Sequence, residues 1–397
     1  MAGYPAQVQY PANLAPPQPS QPFIPPLPRR IRKVGAPIGV IIALGTIAGL
    51  IVLLFTARNP VGAVIGIVLA TAALAVVVGT FIWLDRWEPE PPRLLVLAFL
   101  WGASVAVIFS VGLEIVFEAL VPADATTASA ATIALGAPLV EEALKGMFLL
   151  LMMTGSRRNE LNSLTDCLVY AGITAIGFAW VENIMYIAQG ESIGESLVTA
   201  GLRLIMGPFA HPLFTLAIGV GVYFALNRRN VLAKIGCVLL GYAGAVLLHA
   251  MWNGSSLVSF EAYILVYVFW MVPMFALAIW LSIASRRREQ RIVAAKLPGM
   301  VAANLVTTNE ATWLGSLKAR KVALGEVTRV AGKPEAKAVK NFAHQVVELA
   351  FVRDRIDRGF TDQRVVALQN EEAYWVLAAR AQAPALQTLA AYRAPGS

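Results

Sequence analysis

Residues 138–146 read PLVEEALKG, which places two glutamates and a lysine inside an otherwise apolar run of membrane-spanning length. Each ionisable side chain near the centre of a bilayer costs about 2.5–3.5 kcal/mol, so such residues usually face a protein interior or a wet cavity. A buried ion pair between Glu141 and Lys145 would explain two of the charges but would leave Glu142 without a partner of opposite charge. The stretch therefore predicts part of a functional site inside a membrane protein.

The composition of the whole chain also indicates a membrane protein. Of its 397 residues, 57% are hydrophobic and only 14% are charged, which lies outside the range of soluble globular domains. The formal net charge of +8 does not indicate a nucleic-acid site, because the basic residues recur in short clusters beside apolar runs. The two cysteines, Cys167 and Cys237, lie within apolar runs and predict neither a disulfide framework nor a thiolate metal cluster.

Eight apolar runs are long enough to cross the hydrocarbon core as helices, which takes about 20 residues each. They lie at residues 34–57, 60–84, 94–117, 131–153, 166–189, 200–225, 231–253 and 257–284. Lys and Arg are concentrated before the first run and after every second run that follows. Because basic loops remain on the inner side of a membrane, this pattern predicts a multi-pass protein of the cell membrane with both termini in the cytoplasm.

The composition changes at both ends of the apolar region. Residues 1–33 form a Pro-rich segment that cannot bury enough apolar surface to fold, so we expect a disordered cytoplasmic tail. Residues 286–397 carry frequent charges, with apolar residues spaced as on amphipathic helices across 336–357 and 362–380. The predicted fold class is all-α, a polytopic membrane protein with about eight transmembrane helices at 34–285 and a small helical cytoplasmic domain after them.

Polar residues recur inside the predicted spans. They are Glu141, Glu142 and Lys145 in the fourth run, Glu182 in the fifth, His211 between Pro208 and Pro212 in the sixth, and His249 with Asn253 in the seventh. The two prolines should kink the sixth helix. A rise of about 1.5 Å per residue puts Glu141 and His211 about 15 Å, and Glu182 and His249 about 5–10 Å, below the outer boundary of the membrane. We therefore expect them to converge on one cavity.

Three further polar or aromatic residues have simpler explanations. Arg203 and Glu114 lie toward outer helix ends, where solvation is sufficient. Trp87 lies near a helix end, and we assign it to an interfacial aromatic belt.

A cavity of glutamates and histidines has a chemical use. A carboxylate can deprotonate water, imidazoles with carboxylates can hold a divalent metal, and an amide such as that of Asn253 can stabilise an oxyanion. The sequence contains no His-Glu-x-x-His motif of the zincin type. Ser104 lies far from either histidine in the predicted order, and no aspartate falls at midplane depth. Since the sequence thus favours none of the zincin, serine and aspartyl sites, the predicted catalytic site is one built from glutamates and histidines.

Several separated motifs within residues 80–285 resemble the PrsW family of intramembrane proteases. They are Glu141-Glu142-x-x-Lys145, Phe178-x-x-x-Glu182-Asn183, the histidine between two prolines, His249-x-x-Trp252-Asn253 and the loop DRWEPEP at 85–91. The resemblance implies hydrolysis of a membrane-anchored protein, with anti-sigma factors as the known substrate class and a metallopeptidase mechanism.

The wider clan is similar to type II CAAX prenyl endopeptidases and bacteriocin-processing enzymes. In that clan the first Glu of the double-Glu motif activates water and a His-x-x-x-Asn pair binds the oxyanion, which implies these roles for Glu141 and for His249 with Asn253. This chain has Glu182 where the CAAX-type enzymes have histidine. Either Glu182 and the histidines surround a zinc-like ion, or the site works without metal through a carboxylate base.

The resulting prediction is an intramembrane endopeptidase that cuts its substrate near the outer membrane boundary. Glu141 is the expected general base, and Asn253 the expected oxyanion donor. The expected ligands of a divalent metal, zinc by preference, are Glu142, Glu182, His211 and His249, with the two glutamates also able to position water. The alternative is a non-enzymatic membrane scaffold or receptor with the same fold. A transporter is a third hypothesis. Many transporters contain internal repeats, and the sequence shows no convincing one.

Overall fold

The computed structural model describes residues 36–57, 59–120, 130–361 and 363–392. The predicted N-terminal tail at 1–33 lies outside these residues. Every regular element in the described part of the chain is a helix, which confirms the all-α class.

The helices of the N-terminal two-thirds follow the predicted apolar runs. They are α1 (Ile38–Thr56), α2 (Pro60–Leu84), α3 (Pro92–Leu100), α4 (Val107–Leu120), α5 (Ala137–Met152), α6 (Leu164–Ala188), α7 (Ile193–Gly201), α8 (Ala210–Leu226), α9 (Val231–Val258), α10 (Phe260–Val266) and α11 (Val272–Ala302). Short π-helical segments at Trp101–Ala106, Thr132–Gly136, Leu202–Met206 and Tyr267–Met271 join or extend several of them.

Among the described residues, six helical spans are long and apolar enough to cross a membrane. They are Pro60–Leu84, Pro92–Val116, Leu164–Ala188, Ile193–Leu226, Val231–Val258 and Phe260–Ala302. The other two predicted runs are helical as well, but the first is a shorter apolar helix, Ile38–Leu54, and the fourth contains three charged residues. The prediction of a polytopic membrane protein is thus confirmed, and the orientation of its termini stays a prediction.

Helix α6 is the centre of the bundle. In an apolar 18-residue stretch of α6, 89% of the residues are buried, whereas in such a stretch of Phe260–Ala302 only 6% are buried. Its backbone touches the segment that joins α3 and α4: a Cβ atom on Gly102 would lie 1.9 Å from the carbonyl oxygen of Thr174, and one on Gly177 would lie 1.9 Å from that of Phe99. Only glycine fits at these two positions, and small residues are what allow helices to approach closely in lipid.

The sixth apolar run is broken where the prolines predicted a kink. Its first part ends at Met206, residues 207–209 are not helical, and α8 begins at Ala210. Because Pro208 lies in the break, a regular helix cannot continue through it. The break places His211 in the first turn of α8.

The C-terminal part of the chain is helical and has an apolar core of its own. Its helices are α12 (Thr308–Leu314), α13 (Leu317–Ala331), α14 (Lys333–Asp357) and α15 (Gln363–Ala381), followed by a 3-10 turn at Pro384–Leu389. The core includes Val293 and Met300 of α11 together with Trp313, Phe342 and Val346. Because α11 runs unbroken from Val272 to Ala302, the boundary predicted at 285/286 lies inside a helix, and the domain division stays a prediction.

This C-terminal core is anchored to one end of the bundle. Trp87, only 4% exposed, belongs to it, and the guanidinium of Arg320 lies 4.6 Å from the centre of the indole ring. The assignment of Trp87 to an interfacial belt was therefore wrong. Arg229 donates to the carbonyl of Gly359 at 2.5 Å, and Arg364 donates to that of Gly155 at 2.8 Å, so loops of the bundle contact the C-terminal helices directly.

Candidate active site

The ammonium group of Lys145 lies at the centre of the candidate site. Its Nζ donates to Glu141 Oε2 at 2.9 Å and to Glu142 Oε1 at 2.9 Å, and it lies 3.2 Å from His211 Nδ1. The ring of Phe178 covers it at 3.8 Å from the ring centre. Lys145 is completely buried. Because a buried charge requires partners, these contacts tie α5 to α8 through one cation.

Glu142 is held by three helices. Its side chain is completely buried, and its Oε2 accepts a hydrogen bond from Thr215 Oγ1 of α8 at 2.7 Å. Its Oε1 lies 3.1 Å from Nδ1 of His249, on α9. The imidazole of His249 stacks on Phe214, with ring centres 4.6 Å apart. Glu142 is therefore fixed in position by groups on α5, α8 and α9.

Glu182 contacts the other side of His211. Its Oε2 lies 2.6 Å from His211 Nε2 and is also paired with the guanidinium of Arg203. Arg203 donates through Nε to Asn183 Oδ1 at 2.7 Å and lies 4.1 Å from the ring centre of Tyr186. The expectation that Arg203 is merely solvated at a helix end was therefore wrong, because it joins the end of α7 to α6.

We call these seven residues the cavity cluster: Glu141, Glu142, Lys145, Glu182, Arg203, His211 and His249. A cavity of about 680 Å³ lies beside it, within the size range of ligand pockets. Glu141, Glu182 and His211 line this cavity, and so does Glu114, whereas Glu142 and His249 do not. Of the two adjacent glutamates, Glu141 is thus the one that faces the space where water and substrate would meet.

The cavity lies at the end of the bundle opposite the C-terminal helices. Its lining includes Gln189 just after α6, Ser256 near the end of α9 and Phe260 at the start of α10. Asn253 also lines it and donates through Nδ2 to the carbonyl of Ile133 at 3.2 Å. An amide carries two donor hydrogens, so this bond uses one of them.

A second cavity of about 550 Å³ lies between α8, α9 and α11. Its lining is apolar except for Arg228 and Cys237, and it includes Leu213, Leu240 and Met274. Hydrolysis requires groups that exchange protons or stabilise charge. The cavity beside the cavity cluster is therefore the better candidate for an active site.

Four side chains of the cluster together fit a divalent metal. Glu141, Glu142, His211 and His249 each offer a ligand atom, and these atoms lie within 4.8 Å of one another. Two carboxylates and two imidazoles are a donor set that suits zinc and similar ions. The sequence-based set had Glu182 in place of Glu141, whereas the structure has Glu182 engaged with Arg203 and His211.

A second group of buried carboxylates lies at the opposite end of the bundle, where the C-terminal helices are anchored. We call them the junction acids: Asp85, Glu90, Glu160, Asp166 and Glu289, each at most 6% exposed. Glu90 accepts from Tyr170 Oη at 2.6 Å, and Asp85 Oδ2 accepts from the backbone N–H of Glu90 at 2.8 Å. The hydroxyl of Ser163 lies 2.7 Å from Asp166 and 2.9 Å from Glu289.

Burial is the largest influence on the pKa values of Asp85 and Glu90, two junction acids that lie outside the spans. It raises the pKa of Asp85 from its ordinary value of 3.8 to about 8, although the hydrogen bond from the Glu90 backbone opposes this shift. Burial, with the nearby carboxylates of Asp166 and Glu160, also raises the pKa of Glu90 well above its ordinary value. Asp85 is therefore mostly protonated at neutral pH.

Comparisons with known proteins agree with the resemblance found in the motifs. A family model described as "PrsW family intramembrane metalloprotease" matches residues 90–305. A curated relative, Protease PrsW of Geobacillus kaustophilus (strain HTA426), is 27% identical over 150 residues. That match covers 37% of this chain, and the chain spans 61% of the length of the relative. No solved structure matches.

Proposed function

Because the chain belongs to the PrsW family of intramembrane metalloproteases, we propose that it is an intramembrane endopeptidase that hydrolyses a peptide bond of a membrane-anchored protein. The main support is one geometric observation. Glu141 faces the cavity, while Glu142 and His249 lie behind it, so one carboxylate is placed to meet water and the next is placed to hold the site together.

Glu141 acts as the general base in this proposal. It takes a proton from the water that attacks the carbonyl carbon of the substrate, and it returns that proton to the nitrogen when the C–N bond breaks. Lys145, at 2.9 Å from its carboxylate, balances the charge of Glu141 as long as no metal is bound. Asn253 donates its remaining amide hydrogen to the oxyanion that forms on the carbonyl oxygen.

The metal belongs to the proposal as well. Glu142, His211 and His249 would hold a divalent ion, zinc by preference, with Glu141 within reach of it and Glu182 positioning His211 through its Nε2 contact. When bound, such an ion polarises a carbonyl and lowers the pKa of water toward about 7.

The proposed substrate is a membrane-anchored protein of the anti-sigma-factor type, cut near the outer membrane boundary. The position of the cavity supports this, because it lies at the end of the bundle opposite the C-terminal helices. If both termini are cytoplasmic, as the basic loops predict, that end faces outward. The proposed partners are this substrate and the lipid bilayer of the cell membrane.

The test compares membrane proteomes of cells that carry the wild-type protein, Glu141→Gln or Glu261→Gln. Glu261 is an exposed carboxylate in the first turn of α10 and serves as the matched control. We expect at least one membrane-anchored protein to accumulate at full length in the Glu141→Gln cells only. Identical proteomes at equal expression would refute a protease and favour the scaffold alternative.

A further inference from the structure

The position of Lys145 bears on how the site takes up a metal. Its ammonium lies 2.9, 2.9 and 3.2 Å from atoms of Glu141, Glu142 and His211, which are three of the four residues that could hold an ion. We propose that the Lys145 ammonium and a divalent metal compete for one position, so that metal binds only when Lys145 leaves. The proposal rests on the proposed function for the presence of a metal, but not for proteolysis.

The distances exclude simultaneous occupancy. Zinc binds carboxylate oxygen and imidazole nitrogen at roughly 2.0–2.2 Å. An ion held by Glu142, His211 and His249 needs atoms of Glu142 and His211 that now lie within 2.9 and 3.2 Å of Nζ. The ammonium would then be a cation in contact with a dication, within an interior that screens charge poorly.

The lone pairs of His211 lead to the same conclusion. An ammonium has only donor hydrogens, so its contact with His211 Nδ1 requires that nitrogen to be the acceptor. The ring proton then lies on Nε2, which contacts Glu182 at 2.6 Å. The Nδ1 lone pair used by Lys145 is therefore the one that a metal would need.

The structure also provides a place for the displaced side chain. Phe178, which covers the ammonium, lines the cavity together with the carboxylates of Glu114 and Glu182. Lys145 can thus exchange the partners it loses for others along the cavity wall. It follows that the metal-free protein carries its own counter-charge, and that the site stays assembled without an ion.

The first experiment measures zinc affinity on the full-length protein, purified in detergent and freed of metal with a chelator. Isothermal titration calorimetry with zinc chloride compares the wild type with Lys145→Met, Lys145→Arg and Lys234→Met. Lys234, in the first turn of α9 at the other end of the bundle, is the matched control. If the metal-accepting state of the wild type is populated at no more than about 10%, removing the ammonium tightens binding about tenfold or more.

We expect Lys145→Met to bind zinc at least about tenfold more tightly than the wild type, and Lys145→Arg and Lys234→Met to show no such gain. Equal affinity of Lys145→Met and the wild type would overturn the proposal, and so would the absence of zinc binding in every variant. If Lys145→Met does not fold, the comparison moves to Glu141→Gln and the double variant Lys145→Met/Glu141→Gln, in which one carboxylate fewer is left without the ammonium. The same gain is expected there, and its absence would again overturn the proposal.

The second experiment needs no variant. Thermal unfolding of the wild type is recorded in chelator and in zinc. A monodisperse protein with a cooperative transition in chelator is expected, because Lys145 already balances the carboxylates. A protein that unfolds or precipitates when metal is removed would show that the ammonium does not serve as the cation of the site. Neither measurement reads proteolysis, so a failure here is distinct from a failure of the proteome test.

Discussion

The cavity cluster and the junction acids both bury carboxylates, but they offset the cost of burial in different ways. In the cavity cluster the carboxylates contact an ammonium, a guanidinium and two imidazoles. Four of the junction acids, Asp85, Glu90, Asp166 and Glu289, are instead hydrogen-bonded to hydroxyl or backbone N–H groups, and the pKa of Asp85 rises to about 8. Counter-charges beside a cavity suit the proposed proton transfer to a substrate, whereas acids hydrogen-bonded to neutral groups between helices suit anchoring.

The largest expected difference between the two regions is in activity. Glu141→Gln and Asp85→Asn make the same chemical change, from carboxylate to amide, in the two groups. Because Glu141 is the proposed base, its loss should reduce substrate cleavage by about 10²–10⁴-fold, while Asp85→Asn should cleave at a rate near that of the wild type. The assay is cleavage of a substrate identified from the proteome comparison. Equal cleavage rates for the two variants would contradict the proposal that Glu141 is the base and Asp85 is not.

The next difference is in pH dependence. Asp85 has an ordinary pKa of 3.8 and a pKa of about 8 in the folded protein, so folding takes up a proton between these values. The free energy of unfolding should therefore fall as the pH rises from about 4 toward 8, by at most about 1.4 kcal/mol per pH unit for this group.

Thermal unfolding between pH 6 and 8 measures that slope. Asp85→Asn keeps an acceptor for the N–H of Glu90 and removes the titrating group, so its unfolding temperature should vary less with pH than that of the wild type. Substitution of the exposed Glu261 by Gln should leave the slope unchanged. An undiminished slope in Asp85→Asn would show that Asp85 is not buried as a protonated acid.

A smaller effect is expected from two buried threonines. Thr215 and Thr174 are both completely buried, but Thr215 donates to the Glu142 carboxylate whereas Thr174 donates to the carbonyl of Tyr170 in its own helix. Thr215→Val leaves a buried carboxylate oxygen short of a donor and should cost about 1–3 kcal/mol of unfolding free energy. Thr174→Val should cost less, and unfolding temperatures in detergent would rank the two.

The smallest effect concerns two arginines. Arg203 binds both Glu182 and Asn183, which the single ammonium of lysine cannot reproduce with the same geometry. Arg203→Lys should lower the unfolding free energy by about 1 kcal/mol or less, because the pair is partly exposed. Arg364→Lys, at the junction, replaces a single hydrogen bond to a carbonyl and should have no measurable effect. Equal shifts in unfolding temperature would contradict this ranking.

The sequence predicted the helices and the meeting of the polar residues for physical reasons. Apolar runs of about 20 residues allow few structures other than a helix in lipid. Helical periodicity placed Glu141 and Lys145 on one face, and the rise per residue placed Glu141, His211 and His249 in the outer half of the membrane. The structure adds that all four lie within one network of contacts.

The remaining features depend on the rotation of each helix about its own axis, which depth does not specify. Arg203 could not be matched to Glu182 without knowing which faces of α6 and α7 meet. A signal was nevertheless present, because Arg203 is the only Lys or Arg between Arg158 and Arg228. Thr215 had no such signal, since a threonine in an apolar helix usually bonds its own backbone. Trp87 was assigned wrongly because its partners lie more than 200 residues later in the chain.

The glycine contacts of α6 have a consequence for how a polypeptide could reach the cavity. At Gly102 and Gly177 two backbones already touch, so that wall of the bundle can neither slide nor widen without breaking main-chain packing. Elsewhere the cavity is lined by residues at the end of α7, at the break at 207–209 and at the start of α10, where the chain leaves regular helix geometry at the break. We therefore expect the proposed substrate to reach the cavity beside the break at 207–209 and α10, and not between α6 and the segment that joins α3 to α4.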